Sequence, residues 1–219
     1  MEIDRDQWTE STTAMTALRS HPPDPIAPWA ELVPDAPYPM TVDDLLDWPG
    51  DDGYRYEVVE GALVRMAGTR PPAGRATRRL LRPLDAYVEA HDLGTVTLPD
   101  EVYDFERTGQ PNTGLLPDLG FYPHERDESI DPRRAIPFGP DLAVEVAGSS
   151  QTQGDMDAKA RRYLAAGTAL VWVLWPQGRR VDVWRRDGHA PIATLKPGDT
   201  LDGLDVVPGF THPVADIFA

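Results

Sequence analysis

From Thr41 onward, short apolar runs alternate with two longer segments of helical spacing. In TVDDLLDW, Thr41 is placed to cap a short helix, with Asp43 and Asp44 at its positive N-terminal end. YRYEVVEGALVRM reads as two short strands that turn at Glu60-Gly61. RATRRLLRPLDAYVEAHDLG carries Leu80, Leu84, Tyr87 and Val88 at helical spacing, with Gly94 as a stop. Pro83 lies inside that pattern, which predicts a kink or a later start. TVTLPDEVYDF, LLPDLGFY and DLAVEVA then read as strands. The last is apolar through its centre except for Glu145, the pattern of a strand covered on both faces. DMDAKARRYLAAG fits a second helix, with Met156, Ala160, Tyr163 and Leu164 inward and Gly167 closing it. TALVWVLWP, RRVDVWRR, APIATLKPGD and LDGLDVVPGF follow as strands, with turns at Gln177-Gly178, Asp187-Gly188 and Pro197-Gly198. The series predicts an α/β fold: one mixed sheet flanked by helices, with a C-terminal run of β-strands.

The stretch before Thr41 has no such pattern. Residues 1–39 hold 7 of the 23 prolines and 7 acidic against 2 basic residues. This predicts an extended or disordered arm over 1–39, with a short helix near Trp8–Arg19, ahead of a domain at 40–219. A hydrophobic content of 41% supplies a core for that domain. No apolar run approaches the ~20 residues of a membrane helix. MEIDRDQW has no apolar signal region, so a soluble protein in the cytoplasm, away from membranes, is expected. With no cysteine, thiolate metal sites, disulfides and cysteine nucleophiles are excluded, leaving oxygen and imidazole ligands. The balance of 36 acidic and 21 basic residues gives −15, a field that repels phosphates. A nucleic-acid partner would therefore need a local basic stripe or a metal ion.

Candidate chemistry centres on acids in apolar surroundings. Glu145 would cost several kcal/mol to bury ionised and unpaired, so a cation, a metal ion or a proton must compensate it. Asp118 in LLPDLGFY is framed in the same way by Pro117 and apolar neighbours. Two such acids on neighbouring strands are the hard oxygen ligands that Mg²⁺ prefers, with waters completing its shell. Lys159 lies beside Met156 and Tyr163 on a helical projection, at the border of the packed face, within reach of the strand end that carries Glu145. Pairing of both acids with buried arginines in a structural network is the competing reading. Asp141, in a second Pro-Asp pair, is a rival for Asp118 that falls at a strand opening, and Glu60 reads as a hairpin-turn residue.

YEVVEGALVRM, LLPDLGFY, GPDLAVEVAGSS, DMDAKARRYLAAGTALVWVLWP and GDTLDGLDVVPGF occur in this order over most of residues 41–219. As an ordered set they resemble the Uma-two family of putative restriction endonucleases, within the PD-(D/E)XK nuclease superfamily. The resemblance implies a restriction-endonuclease-like fold and Mg²⁺-dependent hydrolysis of phosphodiester bonds in nucleic acid, with Mn²⁺ as a substitute metal. It implies that Asp118 and Glu145 hold the metal. Ala147 stands where a standard member has its lysine, and Lys159 matches the migrated lysine of the following helix. Glu57 matches a further acid that completes the site in relatives. Two features depart from the family: Gly148-Ser149-Ser150 replaces a Ser-Pro-Ser turn, and no histidine occurs in Gly74–Leu81.

Arg75, Arg78, Arg79 and Arg82 recur at helical spacing, either as a phosphate-tracking stripe or as a solvated helix face. The five histidines show no ligand spacing, and only His124, six residues after Asp118, is a candidate for the cleft. Trp172, Trp175 and Trp184 are expected in the core. The expected partner is nucleic acid, DNA ahead of RNA, with room left for a homodimer. Two rivals stand beside the nuclease: a non-catalytic binding or regulatory module on the same fold, and a sugar hydrolase using two carboxylates without metal.

Overall fold

The computed structural model describes residues 27–49, 53–66, 68, 70–186 and 188–219. The helix expected near Trp8–Arg19 and the Asp187 half of one expected turn lie outside the described residues. Helices form where the spacing predicts them. Val42–Leu46 opens on a reciprocal capping box between Thr41 and Asp44. Gln153–Ala165 does the same with Thr152 and Asp155. The long helix runs over Pro71–Ala90 and passes through Pro83. It starts earlier than expected, because Pro71 and Pro72 occupy the first helical positions, where a missing N–H costs nothing.

The strands do not form one mixed sheet. The central sheet has six, in the order β11 (Ala193–Leu195), β10 (Arg180–Arg185), β9 (Leu170–Trp175), β8 (Leu142–Val146), β7 (Leu119–Pro123), β4 (Gly94–Thr97). Only β8 and β9 are parallel neighbours, and the Gln153–Ala165 helix makes the crossover between them. A second, antiparallel sheet orders β1 (Glu31–Leu32), β3 (Ala62–Met66), β2 (Arg55–Val59), β6 (Gly114–Leu115) and β5 (Tyr103–Asp104). Three of its strands are two residues long, too short to leave a periodic trace in the sequence. The β2–β3 hairpin turns at Glu60 and Gly61 with φ of 50° and 83°, the pair of left-handed residues that a tight hairpin requires. The C-terminal run is also reduced: of LDGLDVVPGF only Leu201 and Asp202 belong to a strand, β12 (Thr200–Asp202), which pairs with β13 (Thr211–Pro213).

The central sheet is covered on both faces. The Pro71–Ala90 helix lays Ala73, Ala76, Leu80, Leu84 and Val88 against Leu119, Phe121, Leu142, Val144, Trp172 and Val183. On the other face, Met156, Ala160 and Tyr163 join Ala143, Val171, Val173 and Trp184, together with Val59, Val64, Phe105 and Leu115 of the second sheet. Glu145 belongs to this second face by alternation from Ala143.

The expected free arm over 1–39 is corrected at its C-terminal end. Ala27 and Trp29 are buried in the second core, β1 pairs with β3, and Met40 donates its N–H to the Gly61 carbonyl. Proline suppressed the strand pattern here, yet two ladder residues, the Arg65–Glu31 pair and the buried Trp29 dock the chain. Among the described residues no helix is long and apolar enough to cross a membrane.

Candidate active site

Four elements bring Glu57, Asp118, Glu145 and Lys159 together where the two sheets meet. Antiparallel pairing sets Leu119 opposite Val144, so Asp118, just before β7, reaches the C-terminal end of β8. Its Oδ2 accepts the Val146 N–H at 2.8 Å. Glu145 projects from β8 toward the Gln153–Ala165 helix, where Lys159 lies one turn before Tyr163. Lys159 Nζ is 3.0 Å from Glu145 Oε1 and 3.0 Å from Glu57 Oε1. Its remaining neighbour is the Met66 sulfur at 3.6 Å, a weak acceptor. Lys159 is 1% exposed, not at the border of the packed face as its helical projection suggested.

Each carboxylate is held by more than its cation. The Tyr163 hydroxyl donates to Glu145 Oε1 at 2.7 Å. Glu57 receives the Leu116 N–H on Oε1 at 3.1 Å and the Trp29 indole N–H on Oε2 at 3.0 Å. Arg55 donates to Asp118 Oδ1 at 3.1 Å and also to the Leu116 and Pro99 carbonyls. Arg55, Tyr163 and Trp29 are polar partners that sequence reasoning missed. Arg55 had a signal: it stands two residues before Glu57, on the same face of a strand whose other residues are mostly apolar. Tyr163 reads correctly as core, but its hydroxyl leaves no pattern.

Three carboxylates and two cations in contact leave one excess negative charge in a buried place. Burial pushes the Glu145 carboxyl up to about 7; Lys159 opposes this, while Asp118 and Glu57 add to it. Burial works against the Lys159 ammonium, yet Glu145 and Glu57 outweigh it and hold the group above its ordinary range. Arg55 behaves alike, with Asp118 as its main support. Tyr163 is held firmly protonated by burial and by the adjacent Glu145.

Asp118, Glu145, Lys159, Arg55, Arg70 and Gln151 are among the residues lining a small cleft of about 110 Å³. A wider depression of about 670 Å³ lies elsewhere on the Gln153–Ala165 helix, beside Glu60, Asn112 and Arg162. It is larger but open, and its acid, Glu60, is a turn residue paired to Arg162 at 2.9 Å. Buried charges converge on the narrow cleft, the pattern of a candidate site. Asp141 sits at the opposite end of β8, paired with Arg126 at 3.1 Å, and so is removed from the cleft. His124 follows β7 at that same far end, between Asp127 and Asp92. Among the described residues, no three acidic or imidazole side chains group as a metal-holding cluster.

Residues 42–215 match the family model Uma2, described as "Putative restriction endonuclease". The chain belongs to the Uma2 family. That match includes Glu57, Asp118, Glu145 and Lys159 and leaves out β1 and Trp29. A crystal structure titled as a putative nuclease belonging to DUF820, from Anabaena variabilis, superposes with a TM-score of 0.67 at 17% identity. The overlap covers 82% of this chain and 98% of that one, which fixes the fold as that of this nuclease-like neighbour. None of the curated proteins matches the chain.

Proposed function

We propose that this Uma2 chain hydrolyses phosphodiester bonds in nucleic acid with Mg²⁺ or Mn²⁺, at the cleft lined by Asp118, Glu145 and Lys159, with Glu57 buried behind the lysine. The observation that carries this reading is the convergence of these four side chains from four separate elements: Asp118, Glu145 and Lys159 line one cleft, and the buried Glu57 holds the lysine from behind. The donor set fits a divalent ion. Asp118 and Glu145 offer hard oxygens at one strand end, and the cluster has one negative charge more than Arg55 and Lys159 neutralise. Two carboxylates are enough for Mg²⁺, which keeps several waters or takes substrate oxygens. When bound, the metal supplies Lewis-acid polarisation of a phosphoryl oxygen and a water of lowered pKa.

The chain's own residues do the positioning. The Val146 N–H and Arg55 fix the two oxygens of Asp118, and the Tyr163 hydroxyl fixes Glu145. Glu57 is fully engaged by Trp29, Leu116 and Lys159, so it orients the lysine and is not itself a ligand. Lys159 spends two N–H groups on carboxylates. The third faces only the Met66 sulfur, which a phosphoryl oxygen or water displaces, so the ammonium meets the charge that grows during phosphoryl attack.

The non-catalytic reading keeps one supporting observation: Arg55 and Lys159 already pair the acids without a metal. One experiment separates the two. The full chain is titrated calorimetrically with Mg²⁺ and Mn²⁺ and assayed on single- and double-stranded DNA and RNA pools. Metal-dependent cleavage is expected, falling at least two to three orders of magnitude in Asp118→Asn and Glu145→Gln. Metal binding with no cleavage of any pool would favour the non-catalytic module.

A further inference from the structure

We infer that the outer face of the Pro71–Ala90 helix, through Arg75, Arg78, Arg79 and Arg82, binds the phosphate backbone of a polynucleotide. This rests on the nucleic-acid reading above for its partner, but on different residues. Residues 70–82 hold five arginines and no acid in a chain of net charge −15. Positions 75, 78, 79 and 82 follow i, i+3, i+4, i+7, and so form one stripe. That stripe is opposite the buried face made by Ala73, Ala76, Leu80, Leu84 and Val88. Arg75, Arg78 and Arg82 are exposed and Arg79 half-buried.

Two observations set these arginines apart from a solvated face. Among the described residues, eight other arginines pair with carboxylates; none of the five here has an ion pair, a hydrogen-bonded partner or an aromatic ring. The helix also segregates its charges: the first turn holds no acid and the last turn no base, the only charged residues of its N-terminal half are arginines, and Asp85 and Glu89 come in the C-terminal half.

The cleft lies at the start of the same helix: Arg70, at the N-cap, and Ala73 line it with Asp118, Glu145 and Lys159. From Arg75 to Arg82 the stripe then runs along about 10 Å of helix axis on the outer face, at 1.5 Å per residue. A duplex presents one phosphate charge per ~1.7 Å of axis, so this length spans several phosphates of either strand. The local stripe is what lets a chain of this acidity hold a polyanion.

The test measures binding of fluorescent single- and double-stranded DNA and RNA oligonucleotides to the full chain, without divalent metal, across a salt series. Arg78→Gln/Arg82→Gln is expected to flatten the slope of log affinity against log salt by about one to two units. Arg133→Gln/Arg134→Gln, which removes two ion-paired surface arginines, is expected to leave it unchanged. Equal flattening in both variants, an unchanged slope in the first, or equally strong competition by poly-glutamate would overturn the inference. Hydrolysis of a minimal phosphodiester, bis(p-nitrophenyl) phosphate, is too short to reach the stripe and should be unaffected by Arg78→Gln/Arg82→Gln. Turnover of that ester without arginine-dependent binding would sink the stripe and leave the hydrolytic reading standing. Arginine-dependent binding with no hydrolysis of ester or polymer would do the reverse.

Discussion

Glu145 on β8 and Asp182 on β10 both stand opposite Val173 of β9, so they lie on one face of one sheet, two strands apart. Both are almost wholly buried, at 4% and 2% exposure. Their surroundings differ in kind. Asp182 is held at hydrogen-bond distance by neutral donors, the Trp175 indole N–H at 2.8 Å, the Gln153 amide at 3.1 Å and the Thr194 hydroxyl at 2.7 Å, with the Arg180 Nε farther off at 3.7 Å. Glu145 has a hydroxyl and an ammonium on one oxygen, with Glu57 sharing that ammonium and Asp118 near enough to raise its pKa. A carboxylate satisfied by fixed dipoles needs nothing more and holds a fold in register. A carboxylate crowded by other acids and facing a cleft still calls for positive charge. Burial alone does not mark a site; unbalanced burial does.

The largest expected difference between the two acids follows from removing what compensates them. Lys159→Met strands Glu57 and Glu145 without their shared cation, in a place that water reaches poorly. Breaking a buried pair in this way costs about 3–5 kcal/mol. Asp182→Asn keeps an oxygen for the indole and turns an amide toward the Thr194 hydroxyl, which can accept. Only the charge assistance goes, a loss of about 1–2 kcal/mol. Denaturant unfolding of the metal-free chain at neutral pH checks both. A loss in Lys159→Met no greater than in Asp182→Asn would mean that Lys159 is not the compensating charge.

The contrast was half legible in the sequence. DLAVEVA announces Glu145, because no alternation puts that acid on a wet face. RRVDVWRR hides Asp182: Val181 and Val183 alternate with it, so it reads as outward on a half-buried strand. Trp184, on the same side as Asp182, was the one hint that this face is covered as well. The three helices expected from Thr41 onward and the Glu60-Gly61 turn followed from local patterns that the tertiary structure did not override. The second sheet and the docking of Trp29 did not, since two-residue strands and a single indole contact carry no period. Lys159 was legible on the helical projection and matched by the family resemblance, but its full burial is completed by Met66 of the second sheet, which no local pattern announces.

A smaller effect separates the acids by pH. The Glu145 carboxyl titrates near 7 in the folded chain against an ordinary 4.5. Between these values the unfolded chain binds fewer protons than the folded one. Stability from this group is therefore full below about pH 4.5 and is lost as pH rises through about 7. The shift corresponds to a loss on the order of 3 kcal/mol. Lys159, held above its ordinary 10.5, adds nothing in that window. With a chelator present, urea unfolding at intervals from pH 4.5 to 8 is expected to show the decline. Glu145→Gln should remove it and Asp182→Asn should keep it. A decline that persists in Glu145→Gln would assign it to other groups.

The finest test stays within the ring of donors around Asp182. Thr194 is on β11, the edge strand of the central sheet, and its hydroxyl is the only donor within 3 Å of Oδ1. Thr194→Val keeps the β-branched shape and the ladder pairing with Asp182, and removes only that donor. The Arg180 Nε lies 3.7 Å from the same oxygen and gives partial relief, and Thr194 is itself exposed, so a water can enter. The cost should be about 1 kcal/mol, the net worth of one hydrogen bond, and Thr194→Ser should recover most of it. Affinity for the metal proposed at Asp118 and Glu145 should be the same in both variants, because no charge changes two strands away. A shift in metal affinity with Thr194→Val would mean that the two acids are coupled through Val173 and the sheet, and that the structural and the chemical carboxylate cannot be treated apart.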